Sequence, residues 1–126
     1  RQMCIRDRRD MARFGEAMRN NGRFNGQQIV PEAVVADIRG GGDPGKFASA
    51  GYTTLPGWSY RNMWWVVDAE QGMFAARGIH GQTIYVDPTA EMVIARFASN
   101  PIAANGANDP VSLPAYAALA RHLNAR

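Results

Sequence analysis

Two strand-like segments joined by one tight turn constrain the fold of this chain most strongly. Residues 83–88 read Thr-Ile-Tyr-Val-Asp-Pro, and after the turn at Asp87-Pro88 a second apolar segment follows at residues 92–97. Segments of this composition, bounded by turn residues, are typical of antiparallel strands. The glycine-containing segment 78–82 leads directly into the first strand. Glycine there indicates either an ordinary hairpin or a close approach of the backbone to a ligand. In the second case, the exposed N–H groups of such a strand edge could bind an oxyanion of the ligand.

Helical periodicity appears in three other parts of the chain. It predicts a helix over residues 9–21 with Asp10 at its N-terminal end, and a second helix that Pro31 opens and the glycines at 40–42 stop. A third is predicted over residues 112–124. Its apolar side would carry Leu113, Tyr116, Ala117, Leu119, Ala120 and Leu123.

The remaining segments predict strands and one irregular region. Residues 40–59 are rich in turn formers and are expected to be irregular. Strands are predicted at 60–68, 73–78, 82–86 and 91–99. The order of these elements predicts an α+β fold, in which an antiparallel sheet is flanked by helices.

The first eight residues differ in character from the rest. They read Arg-Gln-Met-Cys-Ile-Arg-Asp-Arg and match the in-frame translation of a transposase adapter used in DNA sequencing libraries. We therefore expect residues 1–8 to be an artefact and residues 9–126 to begin in the middle of a longer gene. The only cysteine, Cys4, then carries no information about the redox compartment. Localisation, cytoplasmic or periplasmic, stays open.

The charge balance also depends on these eight residues. They contribute +2 of the net charge of +3, so residues 9–126 are close to neutral. No basic stripe remains to favour a nucleic-acid partner. No apolar run approaches the ~20 residues that a membrane-spanning helix needs. The oligomeric state is left open.

The sequence holds few of the usual chemical motifs. His80 and His122 are the only histidines and are far apart, so no metal and no cofactor are expected. The adjacent pair Trp64-Trp65 is conspicuous, because neighbours on a strand point to opposite faces. Either both rings are structural, or one enters the core and the other lines a cleft.

Several segments together carry a family resemblance over nearly all of residues 9–99. They are Arg-Asp-Met-Ala-Arg-Phe-Gly at 9–15, Ile-Val-Pro-Glu at 29–32, Ser59-Tyr60 leading to Trp64-Trp65, Gly-Ile-His-Gly-Gln at 78–82, and Tyr-Val-Asp-Pro at 85–88. In order and spacing the chain resembles the C-terminal part of serine hydrolases with the class C β-lactamase and penicillin-recognising fold. Within that group it is most similar to the 6-aminohexanoate-dimer hydrolase branch.

The resemblance implies an acyl-enzyme mechanism acting on a small-molecule amide or ester. The family's third motif reads Lys-Thr-Gly in β-lactamases, and the similar segment here has Ala76 in place of the lysine, so β-lactam recognition is not expected. The resemblance further implies that the backbone N–H of Ile79 is an oxyanion-hole donor. Trp65, Gly78 and His80 would contact the substrate.

The nucleophile itself is absent from the chain. None of its serines, Ser49, Ser59, Ser99 and Ser112, is followed three residues later by lysine. The chain alone is therefore expected to be inactive, although the parent protein would be an enzyme. The alternative is a non-catalytic domain of the same fold that binds a ligand or a partner.

Overall fold

The computed structural model describes residues 2–126, with side chains described from residue 8 onward. The elements in chain order are α1 (Gln2–Arg19), β1 (Arg23–Phe24), β2 (Gln27–Gln28), α2 (Glu32–Gly40), α3 (Pro44–Ser49), β3 (Ser59–Arg61), β4 (Trp64–Asp68), β5 (Met73–Arg77), β6 (Thr83–Asp87), β7 (Met92–Arg96) and α4 (Asp109–Asn124). Short 3₁₀ turns lie at Ile79–Gly81 and Asn105–Ala107.

Strands β3 to β7 form one antiparallel sheet in sequence order. Successive side chains alternate between its faces, so Phe74 and Ala75 enter different cores. Phe74 packs with residues of α1 and α2, whereas Ala75 packs with Ala120 of α4. The predicted fold class, an antiparallel sheet flanked by helices, is confirmed.

Helix α1 lies unusually close to the sheet because of Gly15. A Cβ built on Gly15 would stand 2.5 Å from Cγ1 of Val93 on β7. Glycine thus lets the backbone of α1 approach β6 and β7, and Met18 of the same helix is buried in the core.

The sheet has five strands, and the expectation of a single strand over residues 60–68 is wrong. The chain reverses at Asn62 and Met63, whose φ angles are 48° and 69°, and β3 pairs back on β4. Positive φ at two central residues is the geometry of a type I′ hairpin turn, which usually carries Asn-Gly. Methionine at the second position conceals that signal.

The predicted helix bounds also need correction. Helix α1 begins at Gln2, so Asp10 lies inside it and pairs with Arg13 at 2.8 Å rather than capping its start. The region expected to be irregular contains α3, whose N-cap Asp43 accepts hydrogen bonds from the N–H groups of Gly45 and Lys46. Aspartate followed by proline starts a helix as readily as it starts a turn.

Helix α4 begins at Asp109, three residues earlier than predicted, and its apolar side is narrower than expected. Ala117 and Leu119 are exposed, while Leu113, Tyr116, Ala120 and Leu123 pack on the sheet. Among the described residues, no helix has the length and hydropathy required to cross a bilayer.

Candidate active-site strand and cleft

The connection between β5 and β6 is a tight turn formed by residues 78–82. Gly78 donates its N–H to the Gln82 carbonyl at 2.9 Å, and Gln82 donates to the Ile79 carbonyl at 3.3 Å. His80 has φ 58° and ψ 18°, a left-handed conformation that costs a non-glycine residue ~1–2 kcal/mol. The turn must therefore be held by its surroundings.

A loop at residues 98–105 supplies that support. His80 donates its N–H to the Ala103 carbonyl at 3.0 Å, accepts from the Asn100 N–H at 3.1 Å, and places Nδ1 2.7 Å from the Asn100 carbonyl oxygen. Asn105 bridges the two ends of the turn, donating to the Gly78 carbonyl at 2.8 Å and accepting from the Gly81 N–H at 3.0 Å. The turn is thus fixed on both sides.

Gly81 packs closely against the neighbouring loop. Gly81 has φ 92°, and a Cβ there would lie 2.5 Å from Nδ2 of Asn100. The turn is a hairpin connection, and its glycine marks a close approach of backbone to another segment of the same chain. The Gln82 side chain adds to the contact by pairing its amide with both backbone polar groups of Ala98.

One N–H group of the turn is left without an acceptor. The N–H groups of Gly78, His80, Gly81 and Gln82 all donate hydrogen bonds. Among the backbone of residues 2–126 and the side chains from residue 8 onward, no group accepts a hydrogen bond from the N–H of Ile79, and this residue is 66% exposed. Ile79 therefore presents the one available backbone donor of this turn.

Trp64 and Trp65 do point to opposite faces of the sheet. Trp64 packs on Phe14 and Phe74, in the core beneath α1. Trp65 lies on the other face and borders a cleft of about 480 Å³. It also borders a second cavity of about 370 Å³, which reaches Asn105. Trp65 also packs on the buried residues Phe47, Leu55 and Trp58, so it is both a structural ring and a border of the cleft.

Sequence reasoning missed a buried ion pair beside this cleft. The Arg77 guanidinium bonds to the carboxylate of Asp109 at the start of α4, and the two side chains are 7% and 5% exposed. Thr54 donates to the other oxygen of Asp109 at 2.8 Å. The guanidinium also lies 5.4 Å and 5.3 Å from the ring centres of Trp58 and Trp65. A pair separated by 32 residues leaves no local sequence signal.

The predicted site residues are therefore brought together in part. Gly78, Ile79 and His80 form one rigid turn, and Trp65 is joined to it through Arg77, the residue before Gly78. The His80 ring is turned toward Asn100, with Nδ1 engaged there. In the part of the chain that the structure describes, no group of three or more His, Cys, Asp or Glu residues could hold a metal ion.

A five-stranded antiparallel sheet with helices on both faces, and a clamped glycine turn at the end of a strand, is the arrangement expected for the C-terminal part of a β-lactamase/transpeptidase-like fold. Comparison with known proteins agrees. The chain is 34% identical to the 6-aminohexanoate-dimer hydrolase of Paenarthrobacter ureafaciens over 94 residues, which are 74% of this chain and 24% of that protein. No protein-family model matches the chain.

A solved structure gives the same result. A Bacillus anthracis protein provisionally assigned as a 6-aminohexanoate-dimer hydrolase superposes with a TM-score of 0.71 and 42% sequence identity, over 91% of this chain and 28% of that one. The chain thus spans about a quarter of the length of these relatives. It resembles a part of a 6-aminohexanoate-dimer hydrolase, and the resemblance drawn from the sequence is confirmed.

Proposed function

We propose that residues 9–126 are the C-terminal portion of a serine hydrolase that cleaves a linear amide or ester through an acyl-enzyme, as a 6-aminohexanoate-dimer hydrolase does. The observation that carries this proposal is the N–H of the exposed residue Ile79, the one donor of the clamped turn that has no acceptor in the described chain. A preorganised donor of this kind is what a developing oxyanion requires.

The residues of the turn and the tryptophan of the cleft then take the following roles. The Ile79 N–H donates to the carbonyl oxygen of the substrate as the serine attacks its carbon, and the N–H of the serine supplies the second donor. Gly78, which carries no side chain, lets the substrate approach the backbone. Trp65 forms an aromatic wall. His80 contacts the substrate with the ring edge that carries Nε2.

The nucleophile and its base come from a part of the enzyme that this sequence does not contain. The acyl-enzyme forms when the amine or alcohol leaves, and water then hydrolyses it. Without Ser-x-x-Lys, the chain by itself has no group to form this intermediate, so we expect it to be inactive. With Ala76 in place of the lysine of β-lactamases, β-lactams are poor candidates for its substrate.

The test exchanges the matched segment of the Paenarthrobacter enzyme for the residues of this chain that align with it. The isolated chain should not hydrolyse nitrophenyl esters or 6-aminohexanoate dimer, whereas the chimera should hydrolyse the dimer. In the chimera, Ile79→Pro should lower kcat by ~10²–10³, because proline has no N–H. Gly78 has φ −108° and ψ 173°, the extended conformation that suits a residue before proline, so the backbone should tolerate this change.

Two variants separate the roles of donor and wall. Ile79→Val keeps the N–H and should retain most of the turnover, while Trp65→Ala should mainly raise KM. A folded Ile79→Pro chimera with near-normal turnover would refute the assignment of Ile79. Hydrolysis by the isolated chain that disappears when one of its own serines is changed would refute the missing nucleophile.

A further inference from the structure

We infer that Asn105 is a positioning residue, whose carboxamide sets the direction of the Ile79 N–H. Asn105 donates through Nδ2 to the carbonyl of Gly78 at 2.8 Å, and its Oδ1 accepts from the N–H of Gly81 at 3.0 Å. The direction of the Ile79 N–H follows from the geometry of this chain, whereas its use in catalysis rests on the proposed function. Separate experiments test these two points.

The carbonyl that Asn105 binds belongs to the same peptide group as the Ile79 N–H. The Gly78 carbonyl and the Ile79 N–H share one planar unit, and in a trans peptide they point in opposite directions. No peptide bond of the described chain is cis. A donor that fixes the Gly78 carbonyl therefore also fixes the Ile79 N–H, which points away from Asn105.

Little else opposes a rotation of this peptide group. Rotation changes ψ of Gly78 and φ of Ile79, and glycine has no Cβ to restrict its ψ. Among the groups that the structure describes, Asn105 is the one donor that reaches the Gly78 carbonyl. The other bonds of the turn hold the Gly78 N–H and the Ile79 carbonyl, which belong to the two flanking peptide groups. The orientation of the peptide group between Gly78 and Ile79 thus depends on Asn105.

A carboxamide suits both partners of this bridge. The Gly78 carbonyl needs a donor and the Gly81 N–H needs an acceptor, so the two contacts also fix which end of the amide carries nitrogen. The Asn105 backbone is itself held, because its carbonyl accepts from the Asn108 N–H at 2.8 Å in the 3₁₀ turn before α4. The bond to the Gly78 carbonyl also polarises the peptide group, which strengthens the Ile79 N–H as a donor.

The first experiment measures the turn by NMR in the chain of 126 residues. Residual dipolar couplings give the direction of the Ile79 N–H, and hydrogen exchange gives the protection of the Gly81 N–H. In Asn105→Ala the Ile79 N–H should change direction, and Gly81 should exchange about twofold to tenfold faster, as the loss of one hydrogen bond implies.

Two further variants sharpen this comparison. Asn105→Asp has nearly the same shape, and its carboxylate accepts hydrogen bonds but donates none. The Ile79 N–H should therefore change direction in Asn105→Asp while the Gly81 N–H stays protected, and this variant also serves if Asn105→Ala fails to fold. Asn108→Ala is the matched control and should change neither measurement, since the Asn108 side chain forms no capping bond.

The second experiment measures catalysis in the chimera, with the exchanged segment extended to residue 126 so that it includes Asn105. Asn105→Ala should lower kcat by about tenfold to a hundredfold with little change in KM, which is less than the loss expected for Ile79→Pro. In the Ile79→Pro background, Asn105→Ala should cost no further turnover, because Asn105 acts through the N–H that proline lacks. A residue that only supported the fold would lower kcat by the same factor in both backgrounds.

Two results would overturn this role of Asn105. One is an Ile79 N–H whose direction is the same in the folded Asn105 variants as in the parent chain. The other is a loss of kcat that is equal with and without Ile79→Pro. A chimera in which Ile79→Pro costs no turnover would instead refute the proposed function, and the dipolar couplings would still decide whether Asn105 sets the direction of the N–H.

Discussion

Arg77 is the residue on which most of the site depends. Its guanidinium is paired with Asp109 and lies against Trp65. In the chain, Arg77 immediately precedes Gly78 and Ile79. Arginine suits this position because a planar guanidinium can stack on aromatic rings while it bonds a carboxylate. Arg77 therefore joins the cleft wall, the start of α4 and the candidate oxyanion turn.

Removing one member of this buried pair should be more damaging than removing both. Arg77→Met leaves the Asp109 carboxylate buried without its cation, and we expect a loss of about 3–5 kcal/mol in the free energy of unfolding, measured with urea. The double variant Arg77→Met/Asp109→Leu should lose less, because no uncompensated charge remains. Equal losses of unfolding free energy in the single and double variants would show that the uncompensated charge of Asp109 is not the main cause of the loss in Arg77→Met.

Residue patterns predicted only part of the candidate site. The glycine-containing segment 78–82 predicts the turn, whereas the Ile79 donor is implied only by the family resemblance. The clamp formed by Asn100 and Asn105 was not predictable, since single asparagines in a polar loop carry no information about which backbone groups they bind. The same holds for the contact of Asp109 with Arg77, which depends on how α4 packs on the sheet.

Among the elements, the strands from residue 73 onward were predicted well because turn residues separate them clearly. The β3–β4 hairpin was missed because its turn carries Asn62-Met63 rather than Asn-Gly. Three tertiary hydrogen bonds support this turn: Arg61 donates two and Asn62 donates one to the carboxylate of Asp37 on α2. Those bonds hold the pKa of Asp37 below its usual range, the bond from Arg61 contributing most.

The strained turn offers a stabilising substitution. Met63 has φ 69° and is 81% exposed, so its side chain contributes little packing to offset the left-handed conformation. Met63→Gly should raise the free energy of unfolding by about 0.5–1 kcal/mol, since glycine adopts positive φ without that strain. Thermal or urea unfolding measures the change. Asn62→Ala is the matched control and should destabilise the hairpin; a loss of stability in Met63→Gly would contradict the turn geometry.

At the scale of the whole molecule, the core under α1 and α2 and the core under α4 lie on opposite faces of the sheet and should respond differently to solution conditions. The core under α1 and α2 contains no ionisable side chain among its buried members. The core under α4 contains Tyr85, which is 6% exposed and packs against Tyr116 with ring centroids 5.2 Å apart. Any ionisation of Tyr85 would place a phenolate in that apolar layer, so this core should respond to high pH.

The stability of the chain should fall at alkaline pH through this residue. Burial, with a smaller contribution from the negative charge of Asp87, raises the pKa of Tyr85 to about 12 from its ordinary value of 10. Between these values the unfolded chain binds fewer protons than the folded one, so the free energy of unfolding decreases as pH rises through this window and is unaffected by Tyr85 below it. The full decrease corresponds to about 2–3 kcal/mol.

Urea unfolding at several pH values in this window tests the prediction. The unfolding free energy of Tyr85→Phe should decline less steeply with pH than that of the parent chain. Tyr52→Phe removes an exposed hydroxyl and should leave the decline in place. Parallel pH profiles for Tyr85→Phe and the parent chain would show instead that Tyr85 ionises without opening the core under α4.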